Sequence, residues 1–291
     1  MPRARVFFAS VCAVALTAFA VGCGGTESND DNASSADLTD CTPDKLETVK
    51  SGVLTVGTDS PAYEPYFVDD DPSNGKGFES AVAYAIADQL GYSKDQVEWT
   101  VVPFNASYAP GPKDFDFDVN QISITPEREK AVDFSSPYYT ANQAVIATNG
   151  TEAAKATSLD DLKSAAIGVQ IGTTSLTAVQ DKIDPDSEVK VFDTSNDVVS
   201  ALKNGQIDAM VTDLPTAIYL TAVELSDQTV VGQFEAEGGD QWGALLEKDS
   251  SLTACVSAAV NSLRGEDEET GELQMITDEW MSGYANAPKL D

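Results

Sequence analysis

Twice along this chain, short runs rich in Val, Ile and Phe alternate with segments whose apolar residues recur at helical spacing. The first round opens with the strand pattern VLTVG (residues 53–57). In GFESAVAYAIADQLG (77–91), Phe78, Val82, Ile86 and Leu90 then share one helical face ahead of a terminating glycine. VEWTVV (97–102) and FDFDVNQISI (115–124) follow as strands. The second round runs SLDDLKSA (158–165) with a capping Ser158, strand AIGVQI (166–171), helix GTTSLTAVQDKI (172–183) and strand EVKVF (188–192). It continues with helix NDVVSALKNG (196–205), strand IDAMVTD (207–213) and TVVGQF (229–234) as the return path. Such alternation builds a mostly parallel sheet covered by helices, so two α/β units are expected, and 291 residues suit two cores better than one. Upstream, Thr42-Pro43 and Ser51-Gly52 bracket an expected short helix.

The N-terminus reads as a processing signal. Arg3 and Arg5 precede an apolar run over residues 6–21 that ends at Gly22-Cys23, the layout of a secretory signal peptide occupying residues 1–22. The AVGC sequence resembles the lipobox of bacterial lipoproteins, in which the cysteine, here Cys23, carries the lipid; Ala20 stands where leucine is usual. A cleaved signal with an incidental cysteine, or a membrane helix, are the alternatives. Either way the protein is exported, and lipidation would hold it on the outer face of the bacterial cytoplasmic membrane. Residues 23–40, rich in Ser, Asn, Asp and Gly, form an expected flexible tether.

Cys41 and Cys255 remain as an even pair outside the cytosol and are expected to form a disulfide. Joining them requires the two ends of the globular chain to share a domain. The expected division is lobe 1 over 41–143 plus 238–291 and lobe 2 over 144–237, with the chain crossing between them twice. A cleft bounded by two connections can hinge around a ligand.

Composition excludes several functions. Forty-eight acidic against seventeen basic residues give a net charge of −31, which repels nucleic acid and anionic membranes, and removal of Arg3 and Arg5 with the signal peptide leaves it more negative still. The chain has no histidine, which removes Ser-His-Asp hydrolysis and most catalytic zinc sites. No metal or organic cofactor is expected.

SITPEREKAVDFSSPYY (123–139) is similar to the signature of the family 3 extracellular solute-binding proteins, the polar amino-acid receptors of ABC importers. The resemblance continues, in the family's order, through VLTVGTDSPAYEPYF, GKGFESAVAYAIADQLG, AAIGVQIGTTS, NGQIDAMVTD and ITDEW. It implies the periplasmic-binding-protein type II fold, two α/β lobes joined by two hinge strands, and a monomer that captures an L-amino acid and docks on an ABC permease. It also implies that Arg128 grips the α-carboxylate and Asp213 the ammonium group, with Ser123 and Thr174 or Ser175 completing the carboxylate site. Beyond the signal peptide the chain has two arginines, Arg128 and Arg264. A planar guanidinium offers two parallel donors to a carboxylate in a poorly solvated cleft. The alternative for Arg128 is a salt bridge to Asp133, and Arg264 reads as a charge complementing a helix C-terminus.

The remaining candidates concern the ligand side chain. Asp59 matches a position that contacts it in the family, and Tyr63, Tyr66 and Phe104 are candidates to stack on it, with a place in the core as the alternative. Gln121 stands where glycine is usual and Gln170 where some members have lysine. A larger residue at 121 would shrink the pocket and bring an amide, while Asp59 disfavours a second carboxylate, so a neutral polar or basic amino acid is expected. Two other readings are a ligand-presenting sensor lipoprotein and a dehydratase acting on a prephenate-like substrate, which would need a carboxyl of raised pKa in the cleft.

Overall fold

The computed structural model describes residues 36–236, 239–267 and 269–291. The signal peptide, Cys23 and tether residues 24–35 lie outside the described residues. The last part of the expected tether is ordered: Asp37 caps a 3-10 turn at Leu38–Asp40 by accepting from Thr39 N at 2.9 Å, and Ala36 and Leu38 pack on the core.

In the first lobe, β1 (Leu54–Thr58) leads to α1 (Phe78–Gln89), β2 (Val97–Val101), the one-turn α2 (Phe104–Ser107), β3 (Phe117–Asp118) and β4 (Val132–Phe134). Strands β5 (Tyr139–Ala141) and β6 (Gln143–Thr148) carry the chain into the second lobe. There β7 (Ile167–Gln170), α3 (Thr174–Ala178), β8 (Lys190–Phe192), α4 (Ser195–Lys203), β9 (Ala209–Asp213), α5 (Leu214–Val223) and β10 (Gln228–Phe234) follow. The return runs through β11 (Asp240–Trp242) and β12 (Leu245–Glu247) to α6 (Thr253–Arg264) and α7 (Glu272–Met281).

Each lobe has a five-stranded sheet, ordered β2-β1-β3-β12-β4 and β10-β6-β9-β7-β8, and β5 with β11 forms a separate antiparallel pair between them. Both large sheets are mixed, where the alternation predicts mostly parallel ones. Strands that lead into or out of a crossing, such as β6 and β12, run against their neighbours, and among the described strand pairs β1–β2, β1–β3, β7–β8 and β7–β9 are parallel.

Burial follows the strand period. In β6, Val145 and Ala147 enter one hydrophobic cluster with Ile167, Val169 and Val179, while Ala144 and Ile146 enter another with Val198, Leu202 and Leu214, so helices cover both faces. The first core gathers Leu54, Val56, Phe78, Val82, Ile86 and Trp242. Cys41 and Cys255 are joined, with Cα atoms 5.6 Å apart across a sequence separation of 214. The chain then crosses a third time, which a division at residue 238 does not anticipate. Leu290 N donates to Gln233 O at 2.8 Å, Gln233 N donates to Pro288 O at 2.7 Å, and Leu290 lies in the second-lobe core.

Local structure departs from expectation in several places. Residues 42–52 make only a turn, because Val49 N is drawn to Asp116 Oδ1 at 2.8 Å and Lys50 bridges to Val53. The strand expected over 115–124 stops at Asp118, and Gln121 takes a φ of 49° that no strand tolerates. Helix α5 follows directly on Asp213 with Pro215 in its first turn. Among the described residues, no helix is long and apolar enough to cross a membrane.

Candidate functional site

A cleft of about 510 Å³ separates the two lobes, and all eleven binding residues expected from the sequence line it. The second-lobe wall consists of strand-to-helix corners. Gln170 ends β7 and its Oε1 accepts from Ser195 Oγ at 2.6 Å; Thr174 and Ser175 open α3. The cap of that helix is Thr173, whose Oγ1 accepts from Leu176 N at 3.3 Å, so Thr174 and Ser175 are not consumed in capping. Asp213 sits at the corner between β9 and α5 without capping the helix through its side chain.

The first-lobe wall is irregular. Arg128 is 8 % exposed, and its Nη1 donates to Ser123 O at 2.6 Å and its Nη2 to Gly172 O, in the other lobe, at 3.0 Å. The guanidinium lies 5.5 Å from the Phe104 ring centroid and 4.9 Å from that of Tyr108. Phe104 thus stacks on Arg128, where the sequence suggests it stacks on a ligand. The alternative partner, Asp133, is taken by Lys248 at 2.8 Å and Thr253 Oγ1 at 3.1 Å. Burial lowers the Arg128 pKa, opposed by Tyr108, Asp213 and Asp240. Carbonyl oxygens and aromatic faces therefore hold this cation in place of an ion pair.

Gln121 differs from the expectation that its amide is free for a ligand. Its backbone N donates to Glu79 Oε1 at 2.7 Å and its Nε2 donates to Glu79 Oε2; Tyr138 OH also donates to Oε1. These bonds hold the left-handed backbone that a glycine would adopt without strain, and they leave Gln121 Oε1 as the acceptor. Glu79 is fully buried, which pushes its carboxyl up to about 7 against the pull of those three donors. Asp59 accepts from Ser60 N at 2.7 Å and Phe104 N at 3.1 Å, tying the end of β1 to α2.

The two walls touch. Besides Arg128 on Gly172, Tyr66 OH meets Thr216 Oγ1 at 2.8 Å, Ser123 Oγ meets Thr174 Oγ1 at 3.3 Å, and Tyr63 OH donates to Asn196 Oδ1. Tyr66 is 1 % exposed and packs edge-on against Trp242 at 5.6 Å, so it is core and cleft wall at once. The partly buried Tyr63 ring faces Tyr219 at 6.5 Å, and burial raises its phenol to about 12. At the cleft floor Asp213 Oδ1 accepts from Gln143 Nε2 at 2.6 Å. Burial first, and Asp240 next, push the Asp213 carboxyl up to about 8.

The sequence pattern of the bacterial extracellular solute-binding proteins, family 3, matches residues 54–283. The chain belongs to this family. It is 30% identical over 234 residues to the arginine-binding extracellular protein ArtP of Bacillus subtilis (strain 168), covering 79% of this chain and 86% of that one. It is 28% identical over 231 residues to the L-cystine-binding protein TcyJ of Escherichia coli (strain K12), covering 79% and 82%. Among solved structures it is similar to an ancestral arginine-binding protein bound to arginine, with a TM-score of 0.65, 32% identity, and coverage of 79% of this chain and 98% of that one. The fold is the type II periplasmic-binding-protein fold.

For this solute-binding protein, several residues that line the cleft or support its lining escape sequence reasoning. Tyr108 clamps Arg128 from a loop, Asn120 lines the cleft with a buried Nδ2 unpartnered among the described residues, and Asn196 and Thr216 reach across to the first lobe. The second-lobe pair has a signal: each stands in the first turn of a helix that follows a strand, where α/β folds gather ligand groups. Asn120 and Tyr108 have none. Arg264 lies at the end of α6 as expected, and it donates to Asn261 Oδ1 at 2.8 Å and to Pro137 O.

Proposed function

We propose that this protein captures a neutral polar or basic L-amino acid in the interlobe cleft and delivers it to the permease of an ABC importer. The observation that carries the reading is Arg128, a buried cation on the first lobe held by carbonyls and aromatic rings, with Asp213 on the second lobe in the same cleft. An α-amino acid presents a carboxylate to one and an ammonium group to the other, and only a ligand that touches both lobes stabilises their closed arrangement. Ser123 and Thr174, already in contact across the cleft, would share the carboxylate. The relatives named for arginine and L-cystine support a polar ligand, and Asp59 with the Gln121 acceptor favours a neutral or cationic side chain. Cys23 would carry the lipid that keeps the protein, as a monomer, at the outer face of the cytoplasmic membrane.

Calorimetric titration with the twenty L-amino acids tests this. Tight binding of one or a few is expected, weakened by roughly 30-fold to 1000-fold, about 2–4 kcal/mol, in Arg128→Ala. Failure of all twenty to bind a folded protein would sink the reading. A dehydratase would instead use Asp213, which lines the cleft and whose carboxyl burial pushes up to about 8, as a general acid. Turnover of prephenate by the purified protein would identify that activity.

A further inference from the structure

Two carboxylates share the floor where the ligand's ammonium group would sit. Asp213 ends β9, and Asp240 begins β11, the returning hinge strand, where it is 2 % exposed. Between them stands Gln143, fully buried at the first position of β6, whose Nε2 donates to Asp213 Oδ1 at 2.6 Å and to Asp240 Oδ2 at 2.8 Å. Strand register imposes this arrangement: Gln143 pairs with Asp213, and Asp240 pairs with Ala141, two residues before Gln143. One nitrogen spans both acids, so their oxygens lie within two hydrogen-bond lengths of each other.

Two full charges so close in a poorly solvated site repel strongly. The neighbours do not neutralise both. Gln143 contributes a single dipole. Arg128 is one cation facing both Asp213 and Asp240, and Glu79 from α1 adds a third acid near Asp213. Tyr66 and Tyr139 also face Asp213, and burial holds their phenols neutral. A proton held within the pair would resolve the repulsion.

We propose that Asp213 and Asp240 act as one carboxylate pair that carries a single proton in the ligand-free protein and releases it to solvent when the ligand's ammonium group takes its place. This rests on the assignment of Asp213 to the ammonium group. The ligand arrives fully protonated, the proton leaves a carboxyl oxygen of the pair for the buffer, and the pair passes from one negative charge to two beside the new cation. Asp240 thereby makes the site prefer a cation and makes capture depend on pH. The raised pKa of Asp213, with Asp240 as its second cause, agrees with this geometry.

Calorimetry in buffers of different ionisation enthalpy reads the proton directly. Near pH 7 the wild-type protein should release about one proton per amino acid bound, and its affinity should rise with pH by up to about tenfold per unit below the pair's titration. Asp240→Asn should still bind amino acid, with fewer protons released at pH 7 and a flatter profile, because burial of Asp213 remains while its second acid is gone. Binding by the wild type without proton release, or release unchanged in Asp240→Asn, overturns the proposal. Infrared difference spectroscopy of the ligand-free protein is independent of any ligand. Glu79 and Asp118 are also buried acids with raised pKa values, so the band of the pair is the one lost in Asp213→Asn. Titration of that band at lower pH in Asp240→Asn than in the wild type supports the pair, and a titration unmoved in the variant overturns it. Should no amino acid bind, the functional reading fails while this spectrum still decides the pair.

Discussion

The two walls of the cleft are built by different means. On the second lobe, Thr174, Ser195, Asn196, Asp213 and Thr216 all stand at corners where a strand gives way to a helix, so the fold that makes the sheet also places the groups. On the first lobe, Gln121 and Ser123 ride on a stretch outside any strand or helix, and Arg128 opens a single 3-10 turn, Arg128–Lys130. This segment is held by the buried Glu79, by Ser123 O and by the rings of Phe104 and Tyr108. One wall follows from topology. The other depends on buried polar side chains that cost free energy to desolvate and hold a single geometry only while each partner is present.

The sharpest way to break this contrast is at the point where the walls meet. Gly172 has a φ of 74°, and a Cβ there would lie 2.1 Å from Tyr108 OH and 3.2 Å from Asn105 Oδ1, both on the opposite lobe. Gly172→Ala should therefore hold the lobes apart. The left-handed strain alone costs about 1 kcal/mol of stability, whereas the clash is felt only on closing, and a loss of roughly 100-fold in amino-acid affinity is expected. Adding Tyr108→Phe removes the nearest atom and should restore part of that affinity. Unaltered affinity in Gly172→Ala would mean that the walls need not touch to hold a ligand.

That asymmetry also explains what was legible in the sequence. Strand-then-helix grammar finds the second-lobe corners, and the rarity of arginine together with the motif around it singles out Arg128. Glu79 looks like an ordinary acidic residue in the first turn of α1, yet it is fully buried and holds the strained Gln121. Nothing local marks it, because its partners come from residues 121 and 138. Helix α5 escapes for a different reason. Leu214, Pro215, Ala217 and Leu220 are buried and Ile218 packs partly on the same core, so its apolar residues do not keep to one stripe. Asp240 is one acid among forty-eight until the register of β5 and β11 sets it beside Gln143.

A smaller effect tests whether the first-lobe wall costs stability as argued. Asp118 is fully buried opposite Gly57 on β1, and among the described residues neither of its carboxyl oxygens has a hydrogen-bond partner. Burial, then Glu79 and Asp59, raise its pKa well above the ordinary carboxylate value. The native state therefore binds more protons than the unfolded chain, and stability falls as pH rises above the unfolded value of about 3.9. Asp118→Val removes that loss. Chemical denaturation should find the variant more stable by about 2 kcal/mol at pH 7, with the gap narrowing toward pH 4. A less stable variant would mean that Asp118 contributes to the first-lobe wall in place of burdening it.

The smallest effect concerns the contact nearest the hinge strands. Tyr66 packs its ring edge-on against Trp242 of β11 and reaches Thr216 on α5 with its hydroxyl at 2.8 Å, so ring and hydroxyl serve different lobes. Tyr66→Phe keeps the ring in the core and removes only the bond between the walls. If that bond forms on closing, affinity should fall by about fivefold, close to 1 kcal/mol, with little change in thermal stability. Thr216→Val should do the same, and the double variant should be no worse than either alone, because both substitutions remove one interaction. Additive losses would mean that Tyr66 and Thr216 act on the ligand separately. A loss of thermal stability without a loss of affinity would mean that the bond persists when the lobes part, and the hinge would then move them about an axis that spares this contact.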